Sequence, residues 1–230
     1  MMLNVENLAK RFHSHILDKD IQGFDGVSFR VAEGTALGLS GPSGAGKSSV
    51  LKCIYRTYLA SSGTVAYASG AFGRVDLTQL PEKDLLTLRR RELAYVTQFL
   101  SVVPRVSALD VVAEPLTAGG MPPVEARARA RDLLNRLRID PALHDAFPCT
   151  FSGGEKQRIN LARAVIRPAR LMLLDEPTAS LDPASLSIAL EILAEMKAAG
   201  TTLVAVFHDR PVMDRIVDEV YRMPEREIDP

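Results

Sequence analysis

The sequence predicts an α/β fold: a mostly parallel sheet that carries its ligand on the carboxyl ends of the strands. An antiparallel β subdomain stands ahead of this core, and an all-helical subdomain is inserted into it. Three observations predict it. The apolar run Thr35-Ala36-Leu37-Gly38-Leu39 leads into a glycine-rich segment and then into a helical stretch from Ser48 to Tyr55. Two further apolar runs, Arg170 to Leu174 and Thr202 to Phe207, stop abruptly at polar residues, Asp175-Glu176 and His208. Between Phe99 and Thr150 such runs give way to prolines and helical segments. Strands covered on both faces read as continuous apolar runs, and in an open α/β sheet ligands lie outside the carboxyl ends of the strands. The whole chain, 1–230, reads as a single domain, with 1–98 and 151–230 forming the core and 99–150 the helical part.

Composition narrows the field. A chain of 230 residues that is 47% hydrophobic can build a large core and is not disordered. Twenty-eight basic residues balance 28 acidic ones, so charge gives no reason to expect nucleic acid or an acidic membrane surface as the main partner. Cys53 and Cys149 lie far apart without CxxC spacing and read as free thiols in a reducing compartment. Asn4 and Glu6 interrupt any signal-peptide core, and no stretch reaches the roughly 18 apolar residues that span a bilayer. The expectation is a cytoplasmic protein without direct membrane insertion.

Along the chain, Leu3 to Lys10 and Val27 to Val31 predict short antiparallel strands. Phe12 at the end of the first is either an edge-strand core residue or an aromatic face for an adenine. Gly41-Pro42-Ser43-Gly44-Ala45-Gly46-Lys47-Ser48, followed by Ser49, has the spacing of a phosphate-binding loop between a strand and a helix. Its glycines let several backbone N–H groups converge on an anion, and the helix adds the positive end of its dipole. Lys47 is placed to reach the β- and γ-phosphates of a nucleotide, and the Ser48 hydroxyl to ligate Mg²⁺.

Gly63 to Tyr67 predicts another strand, Gly70 and Gly73 a loop, and Leu80 to Arg90 a helix whose end carries Arg89-Arg90-Arg91, suited to the helix dipole. Leu93 to Thr97 is a strand with Gln98 at its ligand edge. Pro104, Pro115, Pro122-Pro123 and Pro141 punctuate the helical insert, in which Val124 to Leu137 is one helix with a charged, solvated face. Ser152 and Glu155 form a capping box. Gly153 and Gly154 inside that first turn cost helix stability and make sense where something approaches the backbone closely. Asp175 closes an apolar strand as an Mg²⁺-holding carboxylate does. Strand alternation is expected to turn Glu176 the other way, toward an attacking water. Asp182-Pro183 reads as an N-cap and first helical residue, Gly200 as the stop, and the tail from Arg222 as frayed.

Taken together these residues resemble the ATP-binding subunits of ABC-type ATPases, over nearly the whole chain and in order. Gly41 to Ser48 matches the phosphate loop and Gln98 the Q-loop glutamine. Phe151 to Gln157 matches the signature motif, with Phe151 and Glu155 departing from its commonest form. Leu171 to Glu176 matches the Mg²⁺-holding strand with its glutamate, Ser180-Leu181-Asp182 the D-loop, and His208 the switch histidine. A finer resemblance is to the L subunit type of the bacterial phosphonate carbon–phosphorus lyase system. It rests on Tyr55-x-x-Tyr58-Leu59, Gln98-Phe99-Leu100, Val103-Pro104-Arg105, Ser107-Ala108-Leu109, Thr150-Phe151-Ser152-Gly153-Gly154-Glu155 with Asn160, and Phe207-His208-Asp209.

The resemblance implies the ABC ATPase fold, a P-loop ATPase core with the two subdomains named above, and hydrolysis of ATP with Mg²⁺ in a head-to-tail dimer, with a sister ATP-binding subunit or a second copy. It implies that Phe12 stacks on adenine, that Ser48, Asp175 and Gln98 complete the Mg²⁺ shell, that Glu176 orients and deprotonates water, and that His208 contacts the γ-phosphate. Ser152 and Gly154 would act on the partner's ATP, and Asp182 would link the two sites. The expected partners are the core subunits of the carbon–phosphorus lyase system; the alternative is the permease of a lipoprotein- or macrolide-export transporter. A DNA-gripping head would need long heptad arms, which the sequence lacks, and Glu176 and His208 argue against a regulator that only binds nucleotide.

Overall fold

A computed structural model describes residues 1–14, 18–98, 100 and 105–224. The chain opens with β1 (Leu3–Ser14) and β2 (Lys19–Val31), then β3 (Ala36–Ser40) and α1 (Lys47–Ile54). β4 (Ser62–Ser69), β5 (Gly73–Asp76), α2 (Glu82–Arg91) and β6 (Leu93–Val96) follow. Next come α3 (Ala108–Thr117), α4 (Pro123–Arg136), two single 3₁₀ turns and α5 (Gly153–Val165). β7 (Leu171–Asp175), α6 (Pro183–Ala198), β8 (Thr202–Val206), the one-turn α7 (Arg210–Met213) and β9 (Glu219–Arg222) complete it.

Two sheets result. The antiparallel one has the order β2-β1-β4-β5, the parallel one β6-β7-β8-β3-β9. The pleat decides where the parallel strands bury their residues. Leu171, Leu173, Val204 and Val206 join Leu37, Leu39, α1 and the antiparallel sheet in one core. Met172, Leu174, Leu203 and Ala205 join α3, α4, α5 and α6 in the other. Successive side chains of a strand point to opposite faces, so β7 and β8 are buried at every position. Each such fully covered aliphatic side chain contributes roughly 1.5–3 kcal/mol. The helices are set by their ends: Ser107 caps α3 and Asp182 caps α6 through side-chain oxygens, and Gly200, at φ 99°, ends α6.

Several expectations are corrected. β1 runs through Phe12 to Ser14, and β2 begins eight residues earlier than expected, because the two extend together as a long hairpin in register from Phe12↔Ile21 to Ser14↔Lys19. The Gly70–Gly73 loop is the turn before an unexpected short strand, β5, which pairs with β4. Pro115 lies inside α3 rather than between helices. There it removes one N–H donor from the helix ladder. Arg222 is not frayed: β9 pairs in parallel with β3, with Ser40 opposite Arg222. Arg89 does more than face a dipole, since its Nε and Nη2 donate to the Tyr55 carbonyl at 3.2 and 2.8 Å. The expectations for Phe99, for Val103-Pro104 with the first residues of the insert, and for the tail beyond Pro224 fall outside the described residues.

Candidate functional site

Four strands of the parallel sheet end side by side, and each hands its next residues to one edge. β3 passes into the Gly41–Gly46 loop, β6 into Thr97-Gln98, β7 into Glu176, and β8 into Phe207-His208. Parallel pairing in register brings this about: Val96 lies opposite Leu174, and Asp175 opposite Val206.

The loop from Gly41 to Gly46 is shaped for an anion. Gly46, the N-cap of α1, has φ 91° and no side-chain cap, and no acidic residue stands in the first turn, which holds Lys47, Ser48 and Ser49. A Cβ at Gly46 would meet the Gly23 carbonyl at 2.6 Å, so no side chain fits there even apart from the left-handed backbone. Ala45, buried, donates its N–H to the Pro42 carbonyl at 3.2 Å and closes the loop's first turn. Lys47 Nζ donates to the carbonyls of Gly41 and Pro42 at 2.7 and 2.8 Å. Partial burial lowers its pKa, while Glu176 and then Asp175 pull the other way and favour the charged form.

Next to the loop, Ser48 Oγ donates to Asp175 Oδ1 at 2.7 Å and the Tyr95 hydroxyl to Asp175 Oδ2 at 3.2 Å. Asp175 is 1% exposed. Burial and the adjacent Asp175 carboxylate raise the Tyr95 pKa, keeping that phenol a donor. Gln98 Nε2 donates to Glu176 Oε2 at 3.3 Å. Glu176 does not diverge from Asp175 by strand alternation. It lies beyond β7 with φ 52°, so a turn redirects it, although its N–H still donates to the Val206 carbonyl at 3.0 Å. Glu176 and the exposed His208 line one recess of about 330 Å³ together with Ser180, Leu181 and Asp209.

Phe12 approaches the loop indirectly. A Cβ at Gly23 would meet its ring at 2.7 Å, and Gly23 in turn rests on Gly46. The ring is half-buried, meets Tyr58 edge-on at 5.3 Å between centroids, and has Lys10 Nζ at 5.0 Å.

The α5 end is built differently. Ser152 Oγ accepts from the Glu155 N–H at 3.3 Å, and the Ser152 N–H and hydroxyl donate to Glu155 Oε2 at 2.8 and 2.7 Å. Those two bonds hold the Glu155 carboxyl below its ordinary range. A Cβ at Gly153 would meet nothing, whereas one at Gly154 would meet the Ser180 carbonyl at 2.8 Å. The glycine at 154 is thus accounted for by a contact within the chain. Asp182 accepts from the N–H groups of Ala184 and Ser185 and from the Ser185 hydroxyl, and pairs with Arg158 Nη1 at 3.4 Å. Among the described residues, no hydrogen bond or ion pair runs from Ser152, Gly153 or Gly154 to the Gly41–Ser48 loop.

Sequence reasoning brought the loop, Asp175, Glu176, Gln98 and His208 together at one edge, and the structure gathers them there. It gave no contact or role of their own to three residues. Tyr95 is the second partner of Asp175. Gln157, buried, donates Nε2 to the Glu176 carbonyl at 3.1 Å, and Asn160 Nδ2 donates to the Thr97 carbonyl at 2.6 Å, fixing the start of the Gln98 segment. Tyr95 had a usable signal: a hydroxyl in a buried strand beside an aspartate-ended strand needs a partner.

Comparison with known proteins supplies context. A family model described as "ABC transporter" matches residues 24–179. The lipoprotein-releasing system ATP-binding protein LolD of Legionella pneumophila is 32% identical over 217 residues, covering 94% of this chain and 92% of that protein. The methionine import ATP-binding protein MetN of Escherichia coli K12 is 32% identical over 218 residues, 94% of this chain, which spans 61% of that relative's length. Among solved structures, the ATP-binding cassette MJ0796, described as a dimer in a post-hydrolysis state bound to ADP and Pi, superposes with a TM-score of 0.87. It is 26% identical, with 96% of this chain and 94% of that one covered.

Proposed function

The chain belongs to the ABC transporter family and is an ATP hydrolase, and from that premise we propose that it is the cytoplasmic ATP-binding subunit of a membrane transporter. It works as a head-to-tail dimer with ATP between the Gly41–Ser48 loop of one protomer and the Ser152–Gly154 turn of the other. One observation carries the reading. The hydrolytic groups and the phosphate loop share a sheet edge, while the second glycine turn is tied to Ser180 and leaves Gly153 open to an outside ligand. The relatives named for lipoprotein release and methionine import support a transporter as the setting. No helix of the described residues is long and apolar enough to cross a membrane, so a permease partner supplies the membrane-spanning part.

The residues fit Mg²⁺. Ser48 and Asp175 offer a hydroxyl and a buried carboxylate already within hydrogen-bond reach of each other, with the Gln98 amide nearby on the same edge. Hard oxygen donors, few from protein and the rest from water and phosphates, are what that ion takes. When bound it offsets charge on the β- and γ-phosphate oxygens. The remaining work falls to the chain. Lys47 and the loop N–H groups hold the phosphates, with Phe12 against the adenine. Glu176 orients a water and accepts its proton as the water oxygen bonds to the γ-phosphorus. The bond to the bridging oxygen breaks and ADP leaves with the electron pair. His208 steadies the γ-phosphoryl oxygens, Ser152 and Gly154 close over the partner's ATP, and Asp182 sits between the two sites. Positioning and charge stabilisation supply most of the acceleration.

Glu176→Gln tests this. Turnover should fall about 10²- to 10⁴-fold while ATP binding persists, and sedimentation with ATP should show a trapped dimer. Unchanged turnover removes Glu176 from the base role.

A second setting is the phosphonate carbon–phosphorus lyase system, favoured by the run Tyr55-x-x-Tyr58-Leu59, whose Leu59 is 64% exposed and free to meet a partner. Pull-down of the tagged protein from cells on phosphonate as sole phosphorus source separates the two. A detergent-requiring membrane protein supports the transporter, and lyase core subunits support the second setting.

A further inference from the structure

Helix α5 grips the segment after β7 at three successive points. Gln157 Nε2 donates to the Glu176 carbonyl at 3.1 Å. Gly154 lies so close to the Ser180 carbonyl that a Cβ would sit 2.8 Å from it. Arg158 Nη1 reaches Ser185 Oγ at 3.0 Å and Asp182 Oδ2 at 3.4 Å. Both Glu176 and Ser180 have left-handed backbones, with φ 52° and 62°. A non-glycine residue holds that conformation only where its surroundings fix it. Gln157 is 4% exposed, and its amide is the side-chain donor to the Glu176 carbonyl, which also accepts from the Ala179 N–H of the same turn at 3.1 Å. A rotation of that peptide would swing the Glu176 side chain, and near-attack geometry is sensitive to displacements of about an ångström.

We propose that Gln157 is a positioning residue for Glu176, and that through it the first turn of α5 and the chain's own hydrolytic site move as one body. The proposal rests on the reading that Glu176 takes the proton from water. Its physical content is specific. One buried side-chain N–H, beside the turn's own Ala179 N–H, holds the carbonyl of the residue whose carboxylate does the chemistry. The helix carrying that N–H begins, within two turns, at the Ser152–Gly154 surface offered to the second nucleotide. Closure of that surface on a ligand is therefore felt at the Glu176 backbone without any contact from the ligand to Glu176.

Gln157→Leu keeps much of the volume and removes the donor. ATPase kcat should fall about tenfold or more, with KM for ATP within about twofold, because the loop contacts are untouched. Gln157→Glu supplies a second reading. A protonated carboxyl donates to the Glu176 carbonyl as the amide does, and an ionised one does not, and burial raises the pKa of a carboxyl placed there. Its activity relative to the parent protein should therefore rise as pH is lowered from about 8 to about 6. In the Glu176→Gln background, Gln157→Leu should cost nothing further, since residues acting as a unit are not additive. The proposal is overturned if Gln157→Leu leaves kcat unchanged. It is also overturned if Gln157→Glu follows the parent's pH profile, or if the double variant shows multiplied losses. Should Gln157→Leu fail to fold, the Gln157→Glu profile decides. Retained turnover in Glu176→Gln alone would instead remove the underlying reading, so the two failures are distinct.

Discussion

Two helices of this molecule begin with glycines, and they begin in opposite ways. α1 opens from a left-handed Gly46 with no side-chain cap and a lysine in its first turn. α5 opens from Ser152 with a complete capping box and a carboxylate in its first turn. The first leaves its backbone donors to a ligand, because every helix start has N–H groups lacking a partner within the helix. The second satisfies the Glu155 N–H and the Ser152 N–H through its own capping box, with Glu155 in the first turn. The contrast teaches that glycine and a helix start do not make one kind of site. On the proposed reading, α1 seats a nucleotide in a single subunit, and α5 contributes only when a second subunit holds the nucleotide in place.

Substitutions can break this contrast. The largest effect expected is from Lys47→Ala, which should weaken ATP binding to the isolated subunit about a hundredfold by calorimetry. Ser152→Ala should leave that affinity unaltered while costing about 1 kcal/mol of stability in denaturant unfolding, the usual loss for an N-cap. Equal losses of affinity from the two would erase the distinction. The next effect sharpens it within α5. Gly154→Ala should destabilise the unliganded subunit by roughly 1–3 kcal/mol, the usual penalty for overpacking. Gly153→Ala, facing open space, should be neutral or stabilising by up to about 1 kcal/mol, with any defect confined to ATP-dependent pairing.

The smallest effect concerns acid. Asp182 is held down to about 2, chiefly by the Ser185 hydroxyl bond, from an ordinary 3.8. A depressed folded-state pKa contributes stability that is complete above the unfolded value and disappears as pH falls through the folded one. Asp182→Asn should therefore flatten the stability profile between about pH 4 and about pH 2, read as a shift in the acid-unfolding midpoint.

The legible parts of the site were those encoded in contiguous residues. The phosphate loop, the acids ending a buried strand, the capping box and the Asp182-Pro183 start each act over a few positions, and each could be read without knowing what packs where. Tyr95 and Gln157 act across β6–β7 and α5–β7. Their function exists only after the sheet order is set, and nothing beside Gln157 in the signature motif shows what it packs against. The turn at Glu176 escaped for a related reason: pleat alternation applies only while the strand lasts, and β7 ends one residue earlier. β5 and β9 are four residues each with half-exposed patterns, too short for periodicity to declare them.

The burial of β7 on both faces has a mechanical corollary. A layer wedged between two close-packed interiors has no soft direction in which to flex, so it behaves as a stiff plank between the halves of the molecule. Asp175 stands at the plank's tip, and whatever tilts one half is delivered to that tip with little slack.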